Sequence, residues 1–314
     1  MGVKFAEHSQ QIPVILDTQP SNDRLVMCYL AGGKLCQYKF IGSRNWMMTL
    51  DEKFENLKQI LFPMESLVVA YSGGVDSTLL LKVAHDLLGE RAVAVTAVSA
   101  SLPAHELENA VKIAAEIGAR MVQIESSEFD NPRYLANTPM RCFFCKSETY
   151  DLIINFAKNI NYGVVIDGTN ADDTGDHRPG RQAAYEHGVR SPLVEVGFTK
   201  TEVRALARNL GLRNWDKPAA ACLSSRVPYG TKITTPILKQ IEQAEFVLHR
   251  LGFSQLRVRH HHQVARIEIE PQDFENVLAQ RETITSSLKA LGYLYITLDL
   301  DGFRSGSLND SLKK

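Results

Sequence analysis

Cysteine is scarce. The 314 residues contain five, an odd number and a low density, which argues against a disulfide scaffold. Neither sign of charge prevails: lysine and arginine total 35, aspartate and glutamate 36, and the formal net charge is −1. No global field therefore draws in nucleic acid or an anionic membrane, and neither partner is expected. No apolar run approaches the ~20 residues that cross a bilayer, the longest being strand-length pieces at 67–71 and 92–98. The opening MGVKFAEHSQQIPVIL lacks a basic stretch, an apolar core and a small-residue cleavage site, so a cytoplasmic protein is expected. Internal repeats and low-complexity tracts are absent too. What is there, 44% hydrophobic and 23% charged residues, is the composition of a globular chain, long enough for about two domains.

Residues 1–47 mix turn formers with short apolar pieces and show no sustained period. Two readings stand: a peripheral or poorly ordered extension, or sequence ahead of the native start, since Met47 and Met48 precede an amphipathic helix at 50–61. From Ser66 onward, apolar runs at 67–71, 92–98 and 121–124 alternate with helical periodicity at 77–88 and 104–117. Strand, helix, strand, helix requires crossovers and hence parallel pairing. A helix near 147–158, a strand at 164–167 and a helix at 200–210 ending at Gly211 continue the pattern. The expectation is a doubly wound parallel α/β domain over 48–232. After a loop at 218–235 the order becomes helix 236–251, strands 255–260 and 264–270, helix 273–291 and strand 293–298. In the second of these strands Ala265, Ile267 and Ile269 alternate with Arg266, Glu268 and Glu270, as in a half-buried antiparallel strand. This makes 233–304 a smaller α+β domain for substrate binding or oligomerisation, followed by a polar, frayed tail at 305–314.

Ser72-Gly73-Gly74-Val75-Asp76-Ser77-Thr78 follows an apolar strand and opens a helix. Two glycines let backbone approach a phosphate, the hydroxyls of Ser72, Ser77 and Thr78 can donate, and the helix amino terminus favours an anion. The lysine of a Walker loop is missing, which disfavours γ-phosphate transfer. Asp76, an acid inside a phosphate cradle, is best explained as a ligand for Mg²⁺. The competing reading is a turn of small residues entering a helix. Gly168, Thr169 and Asn170 follow a later strand at its carboxyl end, where ligands of open sheets collect, and are expected to contact the nucleotide or the second substrate.

Cys142 and Cys145, two residues apart, can face one metal centre, and Cys222 lies in the distant loop KPAAACLSSRVPYG. Structural zinc takes four ligands and no fourth cysteine is near, so three cysteines suit a 4Fe-4S cluster with one open iron that could present a sulfide. A zinc site completed by histidine, and a redox pair or buried thiols, remain open alternatives. Arg257 and Arg259, at i and i+2 of a strand, emerge on one face and can grip one phosphate, unless that face is merely solvated. Ser225 and Arg226 adjoin Cys222 and are expected to line the same pocket. Glu245, on an amphipathic helix, reads as solvated. The run His260-His261-His262 reads as a polar turn, because successive strand residues point to opposite faces and cannot converge on a metal.

SGGVDS after a buried strand resembles the PP-loop of ATP pyrophosphatases, the superfamily of GMP synthetase, NAD synthetase, asparagine synthetase and tRNA thiolation enzymes. The fold so implied is of the adenine nucleotide alpha hydrolase-like type. VVAYSGGVDS, IDGTNADD, GVRSPL, KPAAACLSSRVPYG and RVRHH with ARIEI together resemble the LarE family over about residues 50–303. These are ATP-dependent sulfur transferases that build the nickel-pincer cofactor of lactate racemase. The resemblance implies that a carboxylate of pyridinium-3,5-biscarboxylic acid mononucleotide attacks ATP, that pyrophosphate leaves, and that sulfur then displaces AMP. It implies catalytic roles for Asp76, Cys222 and Arg226, and a phosphate site at Arg257, Arg259 and Ser225. In one branch the cysteine at the position of Cys222 surrenders its own sulfur. The presence of Cys142 and Cys145 matches a second, cluster-bearing branch, in which all three cysteines are ligands and a sulfide source is a partner. Family members also form homo-oligomers. A tRNA thiolation enzyme and a non-catalytic nucleotide-binding protein are the competing functions; the near-neutral charge speaks against the first.

Overall fold

The computed structural model describes residues 25–29, 35–39, 48–175, 179–218, 220–304 and 306–312. The chain divides into two units, Met1–Thr49 and Leu50–Lys314. In the first, β1 (Leu25–Tyr29) and β2 (Leu35–Lys39) form an antiparallel pair; the rest of the expectation for residues 1–47 lies outside the described residues.

The second unit begins with the expected helix, α1 (Leu50–Leu61), followed by β3 (Leu67–Ala70), α2 (Val75–Leu88), β4 (Ala92–Val98), α3 (Ala104–Ile117) and β5 (Met121–Glu125). Then come α4 (Pro132–Leu135), α5 (Arg141–Asn159), β6 (Val164–Ile166), α6 (Pro179–Glu186), α7 (Pro192–Val196) and α8 (Lys200–Asn209). The four strands make a parallel sheet in the order β5-β4-β3-β6. Alternate residues of a strand face opposite sides, and here both sides are apolar. Leu67, Val69, Ala92 and Ala94 pack into a core with α1, α2, α3 and α8, while Val68, Val93 and Val95 pack against α5 and α6. Because β4 and β6 flank β3, the winding reverses there, and the carboxyl edge of β3 is where such sheets bind ligands.

The remaining elements are α9 (Thr235–Arg250), β7 (Leu256–His261), β8 (Val264–Ile269), α10 (Phe274–Ala279), α11 (Arg281–Ala290) and β9 (Tyr295–Leu298). They form a three-stranded sheet, β7-β8-β9, with a separate core in which Ala244 and Leu248 of α9 and Ile284 and Leu288 of α11 cover Val258, Ala265, Ile267 and Ile269.

Five local expectations need correction. The helix expected near 147–158 starts at Arg141, so Cys142 and Cys145 lie on its first turns. The helix expected over 273–291 breaks at Gln280 into α10 and α11. His260 and His261 belong to β7, and the turn falls at His262, whose φ is 54°. The strand at 264–270 is antiparallel to β7, as expected, but parallel to β9, and its polar face is partly covered, since Glu268 is buried while Arg266 is not. Within the tail, Ser307–Leu312 form a short 3-10 helix. No helix among the described residues is long and apolar enough to cross a membrane.

Candidate active site

The loop after β3 turns at Gly73 (φ 70°), where a Cβ would meet that of Ala110 at 2.7 Å, so only glycine fits. Ser77 Oγ lies 3.1 Å from Ser72 Oγ, accepts from the Ser72 amide and donates to the Gly74 carbonyl, tying the loop to the first turn of α2. Asn214 Nδ2 braces it from outside by donating to Gly73 O (3.1 Å) and Thr78 Oγ1 (3.0 Å). The loop after β6 packs directly on this turn: a Cβ on Gly168 would stand 2.7 Å from the Ser77 amide nitrogen. Asp167 shapes that second loop by accepting from Thr169 Oγ1, Ser191 Oγ and the Tyr150 hydroxyl. Asp76 Oδ1 accepts from Asn170 Nδ2 at 3.1 Å, and its Oδ2 is paired with Lys200 Nζ at the amino end of α8. A lysine thus does reach the loop after β3, from 124 residues away.

Cys222 sits on the same sheet edge. The amide of its neighbour Leu223 donates to Ser101 O, just beyond β4, at 2.8 Å. The 3-10 turn Leu223–Arg226 that follows is pinned on two sides. On one, Tyr134 OH meets Ser224 Oγ at 2.6 Å, Arg141 donates to Ser224 O, and Asn137 donates to the carbonyls of Val227, Pro228 and Thr231. On the other, Arg226 makes a two-pronged pair with Glu245, both bonds 2.9 Å, and donates to Ala221 O and Cys222 O. Glu245 is therefore buried and paired, contrary to the solvated reading; it also accepts from the Val258 amide.

Two of the thiols, Cys142 and Cys222, face Arg141. Burial lowers the pKa of this guanidinium, but the charges of Cys222 and Cys142 outweigh that and raise it. Cys142 is exposed; Cys145 and Cys222 are half-buried. Burial and a hydrogen bond with Glu128 push the Cys145 thiol well up, and Glu128 itself accepts from Ser99 Oγ (2.5 Å) and Ser101 Oγ (2.6 Å). Among the described residues no three His, Cys, Asp or Glu side chains converge closely enough to hold a metal ion. The donor chemistry, cysteine thiols with a buried cation beside two of them, is nonetheless of the kind an iron–sulfur cluster takes.

A cavity of about 230 Å³ opens between the start of α3, the loop before Cys222 and β7. His105, Glu106, Lys217, Arg226, Arg257 and Phe303 border it. Burial raises the Glu106 pKa, but hydrogen bonds from His105 and Lys217 prevail and hold it at about 2. Arg257 is depressed to about 10 by burial and by the neighbouring Arg226 and Arg259. Its charge is thus poorly compensated and suited to an anion. Arg259 lies deeper, paired with Glu268 at 2.8 Å and donating to Ser225 O at 2.7 Å. His260 is buried, 3.3 Å from the Tyr293 hydroxyl.

Of the residues singled out from sequence, Ser72, Gly73, Gly74, Asp76, Ser77, Gly168 and Thr169 form one cluster, and Cys142, Cys145, Cys222, Ser225 and Arg226 a second. Both lie at the carboxyl edge of the parallel sheet; Asn214, eight residues before Cys222, contacts the first, and Lys217 pairs with Glu106 at the start of α3. Lys200, Asn214, Glu128 and Arg141 escaped sequence reasoning. Only Lys200 carried a signal, since Thr199 and Glu202 form a capping box that fixes it at the first position of α8.

No family model matches the chain. An uncharacterized protein of Synechocystis is 48% identical over 267 residues, 84% of this chain and 100% of that protein. The pyridinium-3,5-bisthiocarboxylic acid mononucleotide synthase of Lactiplantibacillus plantarum is 40% identical over 269 residues, 85% of this chain and 98% of that enzyme. A polypeptide of the glutamine-hydrolyzing GMP synthase of Methanocaldococcus jannaschii is 27% identical over 172 residues, 52% of this chain and 55% of that polypeptide.

Proposed function

Because the chain belongs to the family of the pyridinium-3,5-bisthiocarboxylic acid mononucleotide synthase, the LarE family, we propose that it is an adenylating sulfur transferase. It converts a carboxylate of pyridinium-3,5-biscarboxylic acid mononucleotide into the thiocarboxylate. The observation that carries this reading is the common sheet edge: a phosphate-type loop after β3 and Cys222 tethered beyond β4, joined by one segment.

ATP lies with its pyrophosphate against the amides of residues 73–77, in a PP-loop fold, a reading supported by the partial likeness to the GMP synthase polypeptide. Asp76 would hold Mg²⁺, whose charge would offset that of the phosphates, and Lys200 supplies the cation that a Walker loop carries in its own sequence. Gly168 and Thr169 border the nucleotide. A carboxylate oxygen of the mononucleotide attacks the α-phosphorus, pyrophosphate departs, and an acyl-adenylate forms. Loop amides and Lys200 stabilise the charge on the departing phosphates. Arg257, in the cavity wall, takes the phosphate of the mononucleotide. A sulfur nucleophile at Cys222 then attacks the acyl carbon and AMP leaves.

Cys142, Cys145 and Cys222 would hold a 4Fe-4S cluster, which would supply the sulfur as sulfide drawn from an external source. A second reading, direct donation of the Cys222 sulfur, is favoured by one observation: Cys145 is engaged by Glu128 and the thiols do not converge. After turnover, the mass of the Cys222 peptide separates the two, since donation leaves dehydroalanine and cluster ligation leaves cysteine. Residues 233–304 carry the substrate phosphate end and self-association. The proposal is tested by pyrophosphate release that depends on the pyridinium mononucleotide; release provoked equally by tRNA, or by no acid at all, would overturn it.

A further inference from the structure

Lys200 reaches Asp76 from the first position of α8, so the start of that helix sets where its ammonium lies. Three ties fix this start. The Lys200 amide donates to Asp172 Oδ2 at 2.8 Å, and the Ala171 amide donates to Phe198 O at 2.8 Å, which binds the segment to the loop after β6. Glu202 Oε2 accepts from the Thr199 amide at 2.8 Å and the Thr199 hydroxyl at 2.9 Å, closing the capping box. The third tie comes from α1. Lys53 Nζ donates to Gly197 O at 2.6 Å and to the two oxygens of Glu202 at 2.8 and 2.7 Å. It also lies 5.9 Å from the centre of the Phe198 ring, which is buried in the core. Only 12% of the Lys53 side chain is exposed, and 28% of that of Glu202.

The cap itself does not call for Lys53, because Thr199 and Glu202 satisfy each other. What Lys53 adds is attachment to a second helix, gripping the chain just before Lys200 and just after it. A group that acts on a reacting phosphate must be held to within about 0.5 Å, and the flexible four-carbon stem of a lysine does not hold itself. We propose that Lys53 of α1 is a positioning residue for Lys200: by clamping Gly197 and Glu202 it fixes the start of α8, so that the Lys200 ammonium meets Asp76 at the loop after β3. The inference rests on the reading of Lys200 as the cation that stabilises the departing pyrophosphate.

Pyrophosphate release with the mononucleotide is compared in the wild type, Lys53→Met, Lys200→Ala and the double variant. Lys53→Met keeps the stem and removes the ammonium; it is expected to slow release roughly tenfold, with KM for the mononucleotide held within about twofold. Where Lys200→Ala costs the wild type roughly 100-fold, it should cost the Lys53→Met protein only roughly tenfold, since residues that act through one another do not add. Lys53→Arg keeps the charge and the donors and should bring the rate to within about threefold of the wild type. Glu202→Gln retains an oxygen for the Thr199 amide and loosens the clamp from its other side, so it is expected to repeat the pattern should Lys53→Met not fold. A Lys53→Met rate equal to that of the wild type, or losses that multiply in the double variant, would reduce the clamp to a structural contact and overturn the proposal. Affinity of the same proteins for the uncleavable α,β-methylene ATP with Mg²⁺ is read in parallel. Each single variant is expected to weaken it roughly fivefold, and the double variant no further. If the wild type releases no pyrophosphate, the functional reading fails, and these affinities still decide whether Lys53 acts through Lys200.

Discussion

Asp76 is held by Asn170 on one oxygen and Lys200 on the other, so the acid in the loop after β3 is aimed by two groups distant in sequence. Removing Lys200 should leave the loop folded but strip a cation from the departing pyrophosphate. Lys200→Ala is expected to slow substrate-dependent pyrophosphate release by roughly 100-fold, as loss of a preorganised charge-stabilising group does, with Lys200→Arg recovering part of it. A pyrophosphate assay decides, and a near-wild-type rate for Lys200→Ala would remove that residue from the chemistry. Cys222→Ser should separate the half-reactions, keeping pyrophosphate release while abolishing thiocarboxylate measured by product mass. The turn at residues 72–78 was legible because the glycines and hydroxyls that shape it are neighbours in sequence; its bracing by Asn214 was not. Lys200 and Glu128 were not, because their partners Asp76 and Cys145 are reached only through the sheet. Glu245 was misread for a related reason: helical period says which face is apolar, but not that Arg226 and the Val258 amide wait on that face.

At the scale of elements, the approach of the β6 loop to α2 is the tightest constraint on the site. Gly168→Ala would place a methyl 2.7 Å from the Ser77 nitrogen. Since small-to-large changes in packed sites cost about 1–3 kcal/mol, the variant should lose that much stability in urea and bind an ATP analogue more weakly. Unchanged binding would mean that the two loops do not form one nucleotide site. The Arg226–Glu245 pair, 4% and 6% exposed, is the other constraint. Glu245→Ala strands a buried cation and should cost about 3–5 kcal/mol, read as a drop in the denaturation midpoint. Strands β3 and β4 were readable as continuous apolar runs because both faces are covered. The start of α5 was not, since Cys142 and Phe143 open it with no apolar period, and nor was the break at Gln280, a residue that favours helix.

Over the whole molecule, two buried groups give stability an acid dependence in separate windows. His260 is lowered from 6.5 to about 4, chiefly by burial, so the unfolded chain takes up its proton first as pH falls. Stability should decline between pH 6.5 and 4, by up to about 1.4 kcal/mol per unit, and level off for this group below that. Glu106, lowered from 4.5 to about 2, contributes stability that is complete above pH 4.5 and lost as pH falls towards 2. Thermal melts of wild type and His260→Gln across this range check the first window; equal slopes would show that His260 does not govern it. The arrangement of the two sheets was legible in outline from the change in element order near residue 233. The burial of Arg259 and Glu268 was not, because alternation along β7 and β8 predicts a wet face where the 3-10 turn and the carboxyl-terminal segment instead cover these two residues. The most direct measurement of the central claim is a single turnover with the mononucleotide labelled with heavy oxygen in its carboxylates. Attack on the α-phosphorus predicts one labelled oxygen in the AMP released and one sulfur in the product; unlabelled AMP, or label in inorganic phosphate with ADP formed, would contradict it.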